Sequence, residues 1–524
     1  MLARAATGTI IGVDAHEIIV EAHRANGLPC MTVIGLARGA VCEAAVRVRS
    51  AITASDIHIG SHRLVVNLLP AELEKDASAI DLALAMSLLA ALEIIPASAL
   101  AGRRFFGELS LGGALEPVRG AVLIADLAHR MGDKEIFVPA SNATEAAVID
   151  GISVLGAHCL QDVIDHICNQ NHIPATNTTV SNNLNITYEN CLSEVKGQKQ
   201  AKRALIIAAA GNHNLLLIGP PGSGKTMLAR RLPALLPPLT NPERIEVTRI
   251  HSAAGKLASG NYLICERPFR SPHHTASDAA LCGGGSVPKP GEVTLAHRGV
   301  LFLDELPEFS RRALESLREP LEEGAIHISR AARSLVFPAR VLLIAAMNPC
   351  PCGRFQINPP SSPNNNSPLS HSNQNVCVCS FDQIQRYRAR ISGPLLDRID
   401  LHVNVDAVPY RDFSKRVSGE SSRDLRSRII TARSIQEKRL GSGRTNSTMT
   451  ERELNDFVPL NNKALAVLER AVDINGLSSR TAVRMIKVAR TIADLEQREH
   501  IEACDLSEAL NLRLIDRNIE LDIS

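Results

Sequence analysis

The stretch "NLLLIGPPGSGKTMLARRL", residues 214–232, decides the fold. Leu215 to Ile218 form an apolar run that reads as a buried strand. The pattern G-x-x-x-x-G-K-T then occupies Gly219, Pro220, Pro221, Gly222, Ser223, Gly224, Lys225 and Thr226, and a helical stretch follows. Strand, loop and helix in that order make a phosphate-binding loop. Its glycines let backbone N–H groups turn inward around an anion, and the helix N-terminus adds positive potential. Lys225 is placed to meet the β- and γ-phosphates, and Thr226 to give its hydroxyl to Mg²⁺. ATP and Mg²⁺ are therefore the expected cofactors, within an α/β frame.

Two further apolar runs end in polar tips. In "GVLFLDEL" (299–306) the run Val300 to Leu303 ends at Asp304 and Glu305. Asp304 is suited to the Mg²⁺ shell and Glu305 to polarising an attacking water as general base. In "RVLLIAAMN" (340–348) the run ends at Asn348, whose amide can orient that water, although Asn-Pro also favours a plain turn. Arg398, in "ISGPLLDRIDLHV", and Arg480, in "LSSRTAVRMIKVARTIADL", are candidates for neutralising transition-state charge, one of them from a neighbouring subunit of a ring. By composition alone each reads more readily as a surface ion-pair residue.

A chain of 524 residues exceeds one ordinary core, and no apolar run is long enough to span a bilayer. Without a signal-peptide pattern either, the expected location is cytoplasmic, with no membrane partner. A formal net charge of +2 excludes a globally basic coat, so any nucleic-acid contact has to be local. Aromatic residues at 3%, with no Trp, argue against base-stacking platforms. Residues 1–168 alternate β-branched and helical stretches and read as an α/β or α+β domain. The Asn/Thr-rich segment 169–190 reads as a linker, 191–410 as the α/β nucleotide-binding core, and 411–524 as helical. The biased insert "INPPSSPNNNSPLSHSNQN" (357–375) cannot bury a core.

Together, "GPPGSGKT", "RSPHHTAS", "GVLFLDELPEF", "ISRA", "AAMNPCPCG", "RYRARISGPLLDRIDLHV" and "VARTIADL" resemble the AAA+ ATPases, and within them the magnesium-chelatase-like ComM/YifB family. The resemblance covers essentially the whole chain. It implies an AAA+ P-loop core with a helical C-terminal lid, preceded by a Lon-protease-like α+β domain. Gly219–Thr226 would be Walker A, Asp304 and Glu305 Walker B, Asn348 sensor 1, Arg398 the trans-acting finger and Arg480 sensor 2, with Arg484 as fallback. Segment 267–299 resembles a helix-2 insert, and "AIHISRAARSLVFPAR" (325–340) a pore hairpin with Arg330 and Arg333 at or near its tip. Basic side chains there would hold DNA phosphates without reading sequence. Neighbouring His273 and His274 lack further ligands for a metal and read as loop residues. The family implies a homo-hexameric motor on single-stranded and branched DNA, promoting branch migration during natural transformation, with recombination proteins as candidate partners.

The segment 105–142 resembles the proteolytic domain of Lon proteases, whose Ser–Lys dyad needs an amine to take the hydroxyl proton. Here Ser78 stands one residue out of register and Val122 occupies the lysine position, so no peptidase activity is expected. Two rival readings remain: a chelatase-type motor that remodels a protein partner for metal insertion, and a Lon-like protease. Finally, Cys350-x-Cys352 and Cys377-x-Cys379 form two close pairs. They suit a structural tetrahedral Zn²⁺, with reduced buried thiols and a redox pair as the alternatives.

Overall fold

The computed structural model describes residues 2–28, 30–35, 38–60, 62–73, 79–177, 191–257, 262–285, 288–330, 333–355, 377–406, 419–475 and 477–513. Ser78 lies outside them, as do most of the linker, the 357–375 insert and the side chains of Arg330 and Arg333. By internal contacts the chain forms two compact units. The first comprises 1–184, 240–265 and 286–290, and the second 185–239, 266–285 and 291–524.

The first unit is built on a seven-stranded mixed sheet. Its strands are β1 (Leu2–Ile11), β2 (Asp14–Ala25), β3 (Cys30–Ile34), β4 (Arg63–Leu69), β5 (Arg103–Phe105), β6 (Glu135–Pro139) and β7 (Ser153–Ala157), in the order β3-β4-β2-β1-β5-β6-β7. Helix α1 (Asp81–Ala91) is buried along its whole length, which an uninterrupted "LALAMSLLAA" allows and an amphipathic pattern would not. Arg104 on β5 is fully buried. It is balanced by Asp133 at 2.7 Å, Glu17 at 2.9 Å and the Thr7 carbonyl. Helix α2 (Ala121–Met131) carries Val122, which is buried in an apolar cluster with Phe106, Ile136 and Val138.

Against the same cluster lies the helix Asn241–Ala253, opened by a Thr240–Glu243 capping box. Its Ile245 and Ala253 pack on the apolar cluster, Arg249 pairs with Asp14 at 3.2 Å and Asp126 at 3.4 Å, and Ser252 meets Glu145. This helix follows the P-loop segment in sequence but belongs to the first unit in space.

The second unit holds five parallel strands: β8 (Leu215–Ile218), β9 (Phe269–Arg270), β10 (Val300–Leu303), β11 (Leu342–Met347) and β12 (Leu401–Asn404). Their order, β9-β10-β11-β8-β12, sets the C-terminal tips of β10, β11 and β8 side by side. Every residue of β8, β10 and β11 is buried, as expected where both faces of a parallel sheet are covered. The C-terminal helices, including α3 (Ser422–Leu440) and α4 (Ser479–Leu495), share one apolar core with this sheet.

A buried polar network runs through that core. His213 Nδ1 lies 3.0 Å from Asp400, which also pairs with Arg484 at 2.7 Å, and His213 Nε2 reaches Thr491 at 2.8 Å. Asn446 then links Thr491 at 3.0 Å to Asp494 at 2.8 Å. On β12, His402 is fully buried. Burial, with the Arg513 guanidinium adding to it, pushes its pKa down to about 3. The folded chain therefore keeps His402 neutral, whereas an unfolded chain protonates it near pH 6.5, so stability falls as pH drops below that value. Between pH 6.5 and pH 5 this group alone costs about 2 kcal/mol. The urea midpoint of the native chain should fall across that window, and that of His402→Leu should fall less. Equal slopes would place the acid sensitivity elsewhere.

Candidate nucleotide site

Residues 219–224 turn sharply between β8 and the helix Lys225–Leu235. Gly222 and Gly224 take φ values of +76° and +90°, and a Cβ at Gly219 would lie 2.2 Å from the Val405 carbonyl oxygen. Each of these positions rejects a side chain, for backbone reasons at the first two and for space at the third. Ser223 Oγ is buried without a hydrogen-bond partner among the described residues. An orphaned hydroxyl in a loop that opens a helix is what an anionic ligand satisfies.

Lys225 Nζ donates to the carbonyls of Gly219 at 2.7 Å and Pro220 at 2.9 Å, and to Asn348 Oδ1 at 3.3 Å. Burial lowers its pKa, opposed by the Asp304 and Glu305 carboxylates. Thr226 Oγ1 donates to Asp304 Oδ2 at 2.7 Å, and Asp304 Oδ1 accepts from the Glu305 N–H at 3.0 Å. A hydroxyl and a carboxylate so placed fit a hard divalent cation that takes oxygen ligands from both. The loop, Asp304 and Asn348 thus come together as one group.

Glu305 adopts a left-handed φ of 54° and keeps an exposed carboxylate, with His274 Nδ1 at 3.2 Å from Oε2. This contact was not anticipated, since His274 reads only as a loop residue. The available signal was its place just past a short strand that lies beside β10. Tyr387 is a second unanticipated neighbour: burial pushes its hydroxyl up to about 12, moderated by a hydrogen bond from the Asn348 backbone.

Arg398 and Arg480 group elsewhere, around Glu322. Arg398 is largely buried, pairs with Glu322, and donates to the Pro394 carbonyl at 2.7 Å. Its Nε has no partner among the described residues. Arg480 is exposed and near enough to Glu322 to help Arg398, the larger influence, lower that carboxyl's pKa. Among the described residues neither arginine bonds to Lys225, Thr226 or Asp304. Arg484 is engaged with Asp400 instead.

The strands Ala325–Arg330 and Arg333–Pro338 pair as an antiparallel hairpin, with Arg330 opposite Arg333. The last pair of the ladder is therefore arginine on both arms. The four cysteine Sγ atoms lie within 4.8 Å of one another. Cys350–Cys352, Cys350–Cys377 and Cys352–Cys377 are 3.3, 3.7 and 3.6 Å apart. A tetrahedron with Zn–S bonds of about 2.3 Å has edges of about 3.8 Å, so the quartet fits zinc.

Three family models match the chain: "Magnesium chelatase, subunit ChlI" at residues 191–413, "Subunit ChlI of Mg-chelatase" at 20–142, and "Magnesium chelatase, subunit ChlI C-terminal" at 419–513. The chain is 43% identical over 514 residues to YifB of Escherichia coli, covering 98% of this chain and 97% of that one. It is 42% identical over 515 residues to the competence protein ComM of Haemophilus influenzae, covering 97% of each. To the magnesium-chelatase 38 kDa subunit of Acidiphilium rubrum it is 29% identical over 177 residues, 30% of this chain and 51% of that one.

Proposed function

The chain belongs to the ComM/YifB family of magnesium-chelatase-like AAA+ proteins, and from that premise we propose that it is an ATP-driven DNA motor. Identity of 42% across its length to a competence protein supports a competence-related role. The observation that carries the ATPase reading is the convergence of Lys225, Asn348, Thr226 and Asp304 within hydrogen-bond reach at adjoining strand tips. Lys225 gives up its loop carbonyls to hold the β- and γ-phosphates of ATP. Thr226 and Asp304 hold Mg²⁺, which when bound neutralises phosphate charge. Asn348 orients the attacking water and Glu305 takes its proton, once its carboxylate is free of His274. In a homo-hexamer, Arg398 exchanges Glu322 for a neighbour's nucleotide, and Arg480 completes the charge from its own chain. Cys350, Cys352, Cys377 and Cys379 hold a structural zinc.

The paired arginines ending the 325–338 hairpin support phosphate-backbone contact with DNA, hence translocation on single-stranded and branched DNA and strand integration in natural transformation, alongside recombination proteins. No helix among the described residues is long and apolar enough to cross a membrane. The matches to chelatase family models favour one second reading, a motor that remodels a protein partner. Strand displacement on forked and three-stranded DNA separates the two. Wild type unwinds with ATP and Lys225→Ala does not. Hydrolysis without any strand displacement by the wild type would leave only the second reading.

A further inference from the structure

The cysteine quartet adjoins the nucleotide loop. Cys350 follows Asn348 by two residues, and the turn it opens is closed by Gly353 N–H donating to the Cys350 carbonyl at 3.0 Å. The Phe355 N–H points at Cys350 Sγ at 3.4 Å, and the amides of Arg354 and Val378 point at Cys352. Gly353, buried and at φ +75°, then presses on the P-loop. A Cβ there would fall 2.5 Å from Pro221 Cδ, 3.0 Å from its Cγ and 3.9 Å from Asn348 Cγ. On the other flank, Arg388 stacks 5.7 Å over Phe355 and donates to the Pro349 carbonyl at 3.3 Å.

Between Met347 and Ser380 the described residues form no helix or strand, and Cys350 is buried among them. The four sulfurs bring the segment's two described ends, 348–355 and 377–380, together. We infer that the zinc-bound turn is a strut of the ATP pocket: it fixes Pro221 and Asn348 together, so that nucleotide affinity depends on bound zinc. The inference rests on the zinc reading above. It assigns the metal a positioning role rather than a chemical one.

The test uses the full chain and a fluorescent ATP analogue, with zinc measured by elemental analysis. One zinc per chain is expected. Stripping it with a thiol-reactive mercurial and a chelator, then reducing, should raise the analogue's Kd at least tenfold, and adding zinc back should restore it. Gly353→Ala, which keeps all four cysteines but crowds Pro221, should retain zinc while raising Kd at least fivefold. Absence of zinc from the purified chain would overturn the zinc reading, and the strut with it. Zinc present, with Kd changed less than twofold on its removal, would overturn the strut alone. If the stripped chain loses its circular-dichroism signature, Gly353→Ala decides: an unchanged Kd overturns the strut and a raised one supports it.

Discussion

Glu305→Gln should leave ATP binding intact and lower steady-state hydrolysis by about 10²–10⁴-fold, the range expected when a positioned general base is lost. The glutamine is isosteric and can still meet His274, so the tip geometry is preserved. Its amide cannot take a proton from water. Lys225, Thr226 and Asp304, proposed to carry the nucleotide contacts, do not bond to the Glu305 side chain in this structure, and so binding should survive. A phosphate-release assay beside titration with a fluorescent ATP analogue reads the two effects separately. Hydrolysis within threefold of wild type would remove Glu305 from the base role. A parallel loss of binding would instead make it part of the pocket.

Asp494→Ala should cost about 3–5 kcal/mol of stability, the usual result of removing one partner of a buried ion pair. Asp494 has no exposed side-chain surface. It accepts from Arg439 at 2.6 Å, Arg490 at 2.9 Å and Asn446 at 2.8 Å. Alanine strands two guanidiniums, one of them almost wholly buried, and breaks the chain of hydrogen bonds through Thr491 to His213. Urea unfolding followed by tryptophan-free probes, such as far-ultraviolet circular dichroism, checks it. A loss below about 1 kcal/mol would mean that the network relaxes around water.

The nucleotide loop and its three strand tips were legible in the sequence because their physics is local. Buried parallel strands read as unbroken apolar runs, and a loop that wraps phosphate tolerates few residues at its glycine positions. The meeting of the two cysteine pairs was legible for the same reason, being two spacings that only need to come together. His274 was not, because the strand before it, Phe269–Arg270, is too short for any periodicity and the partner of a loop histidine is a tertiary fact. The Glu322 partner of Arg398 lies 76 residues away, beyond any local pattern. Arg104 escaped notice because a charged residue is expected at the surface unless its counter-ions are known, and those come from β2 and the turn before β6.

The helix Asn241–Ala253 limits how this protein can be taken apart. The chain passes between its two units at 184/185, 239/240, 265/266, 285/286 and 290/291. A gene fragment that stops at the Asn/Thr-rich segment would look like a tidy domain boundary. It would yield a first unit lacking Ser252 and Arg249, with Glu145 and Asp126 short of partners and the apolar side of α2 bare to water. The complementary fragment would carry that helix with nothing to cover it. Folding modules and contiguous stretches of gene are therefore different divisions of this chain, and neither half is a free-standing part.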